Sequence, residues 1–514
     1  MKTLNILIFL LLVVVLSSCK NNYLDLVPED QPSGATFYQT EEQFRQALTA
    51  AYTPLRDLLV NDFYTAEMRS DNTHYEFLSN NRGTAYVFRE NIADFLDEPR
   101  NAYVNAVYFH CYKSISRANI VLDRIGSVNL DQGARNDIEG QAKFLRAFNY
   151  FKLVRYFGGV PLFLHEIIKA DEAFLPRSTA EEVYQQIISD AQSAIEQLSI
   201  PDKFPQSGLA TKGAATMLLA EVYMTQKKYA EAATQLNNLT AMGYDLLPNY
   251  TDVFSTANKN SKESIFEVQY QQGIQGEQQS NFIYSFLPRC LNTALITYGV
   301  ATNNTGTGGW NIPTSDIIAA YEAGDKRKDA SIGIAEGSYN ASLNFQLSAY
   351  KSIENYQAAT GKVGVPFIKK FLNPHIDKNN TDDNWPIYRY ADALLLLAEA
   401  QNELGNATSA LEYLNRVRTR AGLIAITETN SSALRNIIWH ERRVELAFEN
   451  HRWHDLVRTE QALPVMQHYG LEIKKQYSYL LSSSYQVQEF RLLYPIPQSE
   501  RELNPALTQN PGYN

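Results

Sequence analysis

Residues 211–239 read TKGAATMLLAEVYMTQKKYAEAATQLNNL, and this stretch decides the fold. Its apolar residues recur at helical spacing on both sides of Lys227-Lys228. The pattern predicts one helix over 211–226 and a second over 229–239, joined by a tight turn at the two lysines.

The same pattern occurs again near the C-terminus. Leu219-Ala220-Glu221 matches Leu397-Ala398-Glu399, and an alanine and a leucine follow at equal spacing in both copies: Ala232 and Leu236 in the first, Ala410 and Leu414 in the second. Small residues at these positions let paired helices approach closely, as in tetratricopeptide repeats of roughly 34 residues. Two unrelated helical hairpins are the alternative, but the matching offsets favour a repeat whose copies are interrupted rather than tandem.

Helical periodicity predicts most of the remaining chain. A capping box of Thr40 with Gln43 begins the first helix, and a second box of Ser178 with Glu181 begins another. Pro464 is expected to end or kink the last helix. The further helices are predicted at about 41–52, 103–125, 136–157, 178–198, 388–404, 407–421, 430–450 and 452–463.

Two regions lack the helical period. Residues 60–100 are rich in polar and aromatic side chains and are interpreted as an excursion outside the core. Residues 240–384 are rich in Gly, Asn, Thr, Ser and Gln, and within them 264–270 alternates as a strand does. So long a stretch without helices predicts small strands or a functional surface. The fold class is therefore mainly α: a tetratricopeptide-like helical scaffold with a loop-rich, minor-β region that faces the ligand.

The N-terminus predicts export and lipidation. Lys2 is followed by a run from Leu4 to Leu16 that is apolar except for Asn5, and then by Leu16-Ser17-Ser18-Cys19. This is the pattern of a lipobox, so residues 1–18 are a predicted signal peptide and Cys19 is the predicted lipidation site. Residues 19–35 form a tether, and 36–514 form the body. A plain secreted protein is the alternative.

Composition narrows the function. The chain has 514 residues and a net charge of −10, without a basic run, which argues against nucleic acid as a partner. Besides Cys19 only Cys111 and Cys290 are present, and two separate buried thiols are favoured over a disulfide.

No catalytic or metal-binding pattern is convincing. Glu441, Glu445 and Glu449 recur along one helix, but arginines surround them, so a structural ion-pair network is favoured over a glycosidase site. His451 and Asp455 share a helix face without an indicated third ligand. We therefore expect a protein that is not an enzyme and uses no metal or cofactor.

Two polar and aromatic segments suggest a binding surface. The chain has 32 Tyr, 24 Phe and 4 Trp, and sugar sites combine aromatic plates with hydrogen-bonding side chains. Trp310 follows a glycine-rich stretch and is expected to be exposed unless a neighbour buries it. The alternative, that an aromatic residue anchors its own loop to the body, is favoured for any single residue, and a ligand role is considered for the two segments together. The candidate ligand-binding residues are Arg69, Asp71, Asn72 and Tyr75 in the first segment and Arg289, Tyr298, Asn303 and Trp310 in the second.

Several motifs, taken in order, resemble those of one family. They are Tyr23-Leu-Asp-Leu-Val-Pro28, the stretch RAFNYFKLVRYFGGVPL at 146–162, Trp385-Pro-Ile-Tyr-Arg-Tyr-Ala-Asp392, Glu441-Arg-Arg443, His451-Arg-Trp-His-Asp-Leu-Val-Arg458, Pro495-Ile-Pro497 and Asn510-Pro-Gly-Tyr513. Together with the lipobox they are similar to the nutrient-binding outer-membrane lipoproteins of the SusD/RagB type from Bacteroidetes.

The resemblance implies a fold and a role. The expected fold has four tetratricopeptide-like helix pairs packed against a variable, loop-rich face. The expected role is to capture an oligosaccharide at the cell exterior and pass it to a partner TonB-dependent outer-membrane β-barrel transporter (SusC-like), while a lipid anchor holds the protein to the membrane. Some members of the family take peptides. A glycan-active enzyme on a helical scaffold and a helical adaptor that binds only protein are the remaining alternatives.

Overall fold

The computed structural model describes residues 37–79, 83–273 and 278–513. The predicted signal peptide, Cys19 and the tether 19–35 lie outside the described residues. The α-helices are α1 (Glu41–Tyr52), α2 (Pro54–Asp62), α3 (Thr84–Ala93), α4 (Ala102–Ile125), α5 (Gln132–Phe157), α6 (Ala180–Gln197), α7 (Lys212–Thr225), α8 (Tyr229–Thr240), α9 (Ile283–Phe286), α10 (Ser315–Ala320), α11 (Lys326–Ser331), α12 (Tyr390–Glu403), α13 (Ala407–Ala421), α14 (Ser431–Glu445), α15 (Arg452–Arg458), α16 (Ala462–Gln476) and α17 (Gln498–Leu503).

The helices form a continuous scaffold, and the mainly α, tetratricopeptide-like fold is confirmed. From α4 to α8 each helix packs against the next, α8 packs against α12, and α12 packs against α13 and α14. The two copies of the repeat, far apart in the chain, therefore lie side by side. The small residues of both copies are fully buried at the helix contacts, and these are Ala220, Ala232, Ala398 and Ala410.

The glutamate that occupies the same position in both copies of the repeat also has a structural role. Glu221 accepts an ion pair from Arg155 at 2.6 Å, and Glu399 accepts one from Arg458 at 2.6 Å. Both pairs are largely buried, so each glutamate ties its helix pair to a different neighbouring helix.

In the part of the chain that the structure describes, the strands form three small antiparallel sheets. They are β1 (Thr73–His74), β2 (Ser264–Val268), β3 (Ile312–Pro313), β4 (Ile332–Tyr339), β5 (Phe345–Ser352), β6 (Val363–Ile368) and β7 (Trp385–Arg389). In the largest sheet β4 lies between β5 and β6, while β2 pairs with β7 and β1 pairs with β3. The strand predicted within 264–270 is confirmed.

The interpretation of 60–100 as an excursion outside the core is wrong. A π-helical turn, Phe63–Glu67, follows α2, and all five of its residues are buried. Glu67 accepts hydrogen bonds from the backbone N–H groups of Phe448 and Asn450, each at 3.0 Å. Polar residues are abundant here because they have internal partners, not because they face water.

Several helix ends differ from the predicted ranges by a few residues, and two of the predicted start and stop signals are wrong. Thr179, not Ser178, caps α6 together with Glu182, because the Ser178 N–H already donates to the Val160 carbonyl at 3.0 Å. Pro464 does not end a helix. It lies in the first turn of α16, where a proline needs no N–H donor, and α16 continues to Gln476.

Other local predictions are confirmed. Thr40 and Gln43 form the expected capping box at the start of α1. Cys111 and Cys290 are buried free thiols. Among the described helices, none has the length and apolar character needed to cross a membrane.

Candidate ligand-binding site

A cavity of about 1050 Å³ lies between the small sheets and the C-terminal helices. One wall comes from β1, β3, β4 and β6 with the residues that follow them, and the other comes from α14, α15, α16 and the loop after α16. The loop-rich part of the chain therefore faces the helical scaffold across this space. Aromatic side chains are prominent in the lining: His74, Tyr75, Phe77, Tyr339, Tyr469, Tyr477 and Tyr479.

The pairing of β1 with β3 builds the floor of the cavity. Thr73 lies opposite Pro313 and His74 lies opposite Ile312. Beyond the strands, the N–H of Glu76 donates to the Gly309 carbonyl at 2.7 Å. This close approach requires glycine, since Gly309 has φ +81° and a Cβ there would lie 2.6 Å from the Arg289 Nε. The two segments singled out from the sequence are thus brought into direct contact.

Four rings form an aromatic cluster where the two walls of the cavity meet: His74, Phe77, Tyr477 and Tyr479. Phe77 and Tyr479 stack with centroids 4.1 Å apart and an interplanar angle of 4°. Tyr477 stacks on Tyr479 at 5.2 Å and on His74 at 5.2 Å. Phe77, Tyr477 and Tyr479 are partly exposed. The cluster therefore offers both apolar ring surface and phenol hydroxyls to a ligand.

His74 orients this cluster as a neutral ring. Its Nε2 lies 2.9 Å from the Tyr479 hydroxyl, and its Nδ1 lies 3.2 Å from the Tyr485 hydroxyl. Burial lowers the pKa of His74 to about 3, so the imidazole is uncharged at neutral pH. Tyr339 also lines the cavity, with 47% of its surface exposed, and partial burial raises its pKa to about 12.

An arginine cluster, made of Asp71, Asp316, Arg443 and Arg452, lies in the lining beside the aromatic rings. Arg452 donates two hydrogen bonds of 2.8 Å to the carboxylate of Asp71, and Arg443 forms an ion pair with the same carboxylate at 2.9 Å. Arg443 also pairs with Asp316. Burial alone would raise the pKa of Asp71, but the guanidinium groups of Arg452 and Arg443 outweigh it and hold the pKa at about 2.

Of the eight candidate residues, Asp71 and Tyr75 line the cavity. Tyr75 is only 4% exposed, and its hydroxyl donates to Asp94 at 3.0 Å. Desolvation by burial and the Asp94 carboxylate raise the pKa of Tyr75, so the phenol stays protonated.

Neighbouring residues bury Trp310, whose indole has 0% of its surface exposed. Tyr64, Tyr75 and Tyr86 surround the ring, and Arg89 covers it with the guanidinium carbon 4.2 Å from the centroid. The alternative, that the aromatic residue anchors its own loop to the body, describes Trp310.

Three more candidates are buried behind the cavity. Arg69 pairs with Asp97 at 2.7 Å and is fully buried. Asn72 donates to Glu67 at 3.0 Å. Arg289 is 3% exposed and lies over the ring of Trp310. In this conformation these side chains support the cavity and do not line it.

The last two candidates are exposed but do not line the cavity. Tyr298 has 63% of its surface exposed, and its hydroxyl donates to the Leu372 carbonyl at 3.4 Å. Asn303 caps its own turn, since its Oδ1 accepts from the Thr305 N–H at 3.0 Å.

Sequence reasoning missed most of the lining. The sequence indicates the arginines around Glu441, Glu445 and Glu449 only as partners in an ion-pair network, and it does not single out Arg443, Arg452 or Tyr339 as ligand-facing residues. Tyr477 and Tyr479 lay beyond Pro464, where the helix was expected to end. The pattern Tyr477-Ser-Tyr479, directly after a helix and among polar residues, is the signal that could have indicated them.

The ion-pair network predicted around Glu441, Glu445 and Glu449 is confirmed. All three carboxylates are buried, and Glu445 accepts from Arg389 at 2.7 Å and from Arg327 at 3.0 Å. Although burial opposes it, the pull of these arginines and Arg420 lowers the pKa of Glu445. A carboxyl held ionised in this way is a poor general acid.

Comparisons with known proteins agree with the fold. A family model described as "SusD family" matches residues 262–513, and one described as "Starch-binding associating with outer membrane" matches 22–224. SusD-like protein P2 of Formosa agariphila is 31% identical, covering 83% of this chain and 84% of the relative. SusD-like protein P25 of the same organism is 26% identical over 100% of this chain and 99% of the relative. A solved structure titled "Laminarin binding SusD-like protein" has a TM-score of 0.73 at 26% identity and covers 93% of this chain and 100% of its own.

Proposed function

Since the chain belongs to the SusD/RagB family, we propose that it binds oligosaccharides in the cavity described above. The observation that carries the proposal is the aromatic cluster in the cavity wall, next to paired carboxylates and guanidinium groups. The laminarin-binding relative, at 26% identity, supports a glycan as the ligand class.

The lining suits the chemistry of sugars. A pyranose presents flat C–H faces, which pack on aromatic rings, and a rim of hydroxyls, which need donors and acceptors. The rings of Phe77, Tyr477 and Tyr339 supply the first, and Asp316 with Arg443 supplies the second. The cavity volume of about 1050 Å³ slightly exceeds the ~300–1,000 Å³ range of small-molecule pockets, which favours an oligosaccharide over a single sugar.

The protein acts by capture rather than by catalysis in this proposal. Asp71, the most central carboxylate of the arginine cluster, has a pKa of about 2 and has no proton to give to a leaving group at neutral pH. Hydrolysis of a glycoside requires such a proton donor and a second carboxyl at a set distance. Burial raises the pKa of Glu76, another carboxyl of the lining, so analysis of the recovered sugar is the test that separates capture from cleavage.

The place of action in the proposal follows from the N-terminus. Acylation of Cys19 after removal of residues 1–18 anchors the mature protein to a membrane. The resemblance to the family implies that this is the outer membrane and that the protein faces the cell exterior. The captured ligand then passes to a TonB-dependent, SusC-like β-barrel transporter. The family model described as associating with the outer membrane supports this location.

The test is direct binding by the mature chain from residue 20 onward, without the lipid. Titration calorimetry with laminarin, starch and xylan oligosaccharides is expected to show binding of at least one glycan. Chromatography of the recovered sugar is expected to show it unchanged. Release of shorter sugars would support an enzyme instead, and binding of peptides with no glycan bound would contradict the proposed ligand class.

A further inference from the structure

The charged residues of the cavity are unevenly matched. Among the described residues the carboxylates in the lining are Asp71, Glu76, Asp316 and Glu472, whereas the guanidinium groups are Arg443 and Arg452 alone. No lysine lines this part of the described chain. Two histidines also line the cavity. His74 is uncharged at neutral pH, since burial lowers its pKa to about 3, and His468 lies on α16 one turn before the acidic Glu472.

Both arginines already have anionic partners. Arg452 makes two bonds of 2.8 Å to Asp71, and Arg443 bridges Asp71 and Asp316. The guanidinium groups are nearly covered, with side-chain exposures of 14% for Arg452 and 12% for Arg443. Asp316 is the outermost member, with 59% of its side chain exposed. It occupies the position at Arg443 that the carboxylate or sulfate of a ligand would need.

The next guanidinium is also out of reach. Arg289 lies near Glu76, but it is 3% exposed and is covered by the rings of Tyr86 and Trp310. It does not belong to the cavity lining.

From this arrangement we propose that the cavity selects uncharged glycans and rejects those that carry carboxylate or sulfate groups, with Asp316 as a specificity-determining residue. This inference rests on the proposed glycan-binding function. A neutral hydroxyl can donate to Asp316 while it accepts from Arg443, so it leaves the ion pair intact. An anionic substituent at Arg443 must displace Asp316, and one beside Glu76 places two like charges close together. Glu472 contributes less to this repulsion, because it already pairs with Lys475 at 2.7 Å.

The experiment compares one glycan backbone in two charge states. Laminari-oligosaccharides and the same oligosaccharides oxidised at C6 to uronates are titrated against the mature chain at pH 8, where imidazolium charge is minimal. The neutral form is expected to bind about tenfold more tightly or better, a difference of ~1.4 kcal/mol. Equal or tighter binding of the oxidised form would overturn the inference while leaving glycan binding itself in place. Binding of neither form, with starch and xylan oligosaccharides also unbound, would overturn both proposals.

A substitution assigns the effect to Asp316. Asp316→Asn keeps the shape of the side chain and exposes an uncompensated charge on Arg443, so the ratio of the two affinities is expected to shift by about tenfold toward the oxidised form. Asp245→Asn is the matched control, because Asp245 is also half exposed and pairs with an arginine, Arg416, at 3.0 Å outside the cavity. The control is expected to leave the ratio unchanged. An unaltered ratio in Asp316→Asn, or an equal shift in the control, would overturn the role of Asp316.

Discussion

Replacing Trp310 separates a structural tryptophan from a ligand-binding one. The side chain is completely buried, so Trp310→Ala removes all of its packing and leaves a cavity among Tyr64, Tyr75 and Tyr86. Truncation of a buried tryptophan costs ~3–5 kcal/mol of unfolding free energy. The cation–π contact with Arg89, at 4.2 Å, is lost as well, which places the expected loss toward the upper end of that range.

Trp310→Phe provides the matched comparison. The indole Nε1 has no hydrogen-bond partner, so phenylalanine gives up no hydrogen bond and retains an aromatic face for Arg89. We expect this variant to lose no more than ~1–2 kcal/mol, because most of the buried ring is kept.

Urea unfolding followed by circular dichroism measures both variants, and glycan titration measures the folded protein. We expect a large fall in the urea midpoint of unfolding for Trp310→Ala and a small one for Trp310→Phe. The glycan affinity of Trp310→Phe is expected to stay within about twofold of the parent protein, far less than the tenfold change that a loss of ~1.4 kcal/mol in binding would cause. A Trp310→Ala protein with an unchanged midpoint but lost binding would refute this reasoning, since the indole would then contact the ligand and not the core.

Two further outcomes follow from the cavity and its histidine. Tyr339→Ala is expected to weaken glycan binding, measured by calorimetry, by ~1–3 kcal/mol. Tyr350→Ala is the control and is expected to leave the affinity unchanged, because Tyr350 lies on the adjacent strand with similar exposure but outside the cavity lining. Equal losses in the two variants would remove Tyr339 from the site. The pKa of His74 in the folded protein is lowered to about 3, whereas in the unfolded chain it is ~6.5. The unfolded chain therefore takes up a proton first as the pH falls below ~6.5. Between pH ~6.5 and about 3, this lowers the free energy of unfolding by up to ~1.4 kcal/mol per pH unit. Urea unfolding measured from pH 7 to pH 4 should show that the free energy of unfolding falls less steeply with pH in His74→Gln than in the parent protein. Identical pH slopes in the two proteins would contradict a neutral buried imidazole.

Much of the helical scaffold could be predicted because its signals are local. The apolar periodicity of 211–239, the Thr40 capping box and the repeated Leu-Ala-Glu all depend on residues within a few turns of one another. The structure changes their ends by a few residues but confirms the elements. Pro464 failed as a stop signal because a proline is equally compatible with the first turn of a new helix, and that choice depends on what lies before it.

The candidate site could be predicted only in part. Sequence texture located the two segments around Asp71 and Trp310, and the structure brings them into contact through β1 and β3. The residue composition of these segments did not determine which of their side chains face the cavity. Arg69 and Trp310 are residue types that are common in sugar-binding surfaces, yet both are buried here. Residues elsewhere in the chain, such as Asp97 and Arg89, provide their partners.

The sequence alone determined the helix pairs, the resemblance to a family and the predicted lipidated N-terminus, because each is written in neighbouring residues. Only the tertiary structure decided the cavity, which joins residues 71–77, 312–339 and 443–479 from separate parts of the chain. Burial and ion pairing of a loop residue depend on atoms supplied by remote segments, and no local pattern encodes which of those segments will meet.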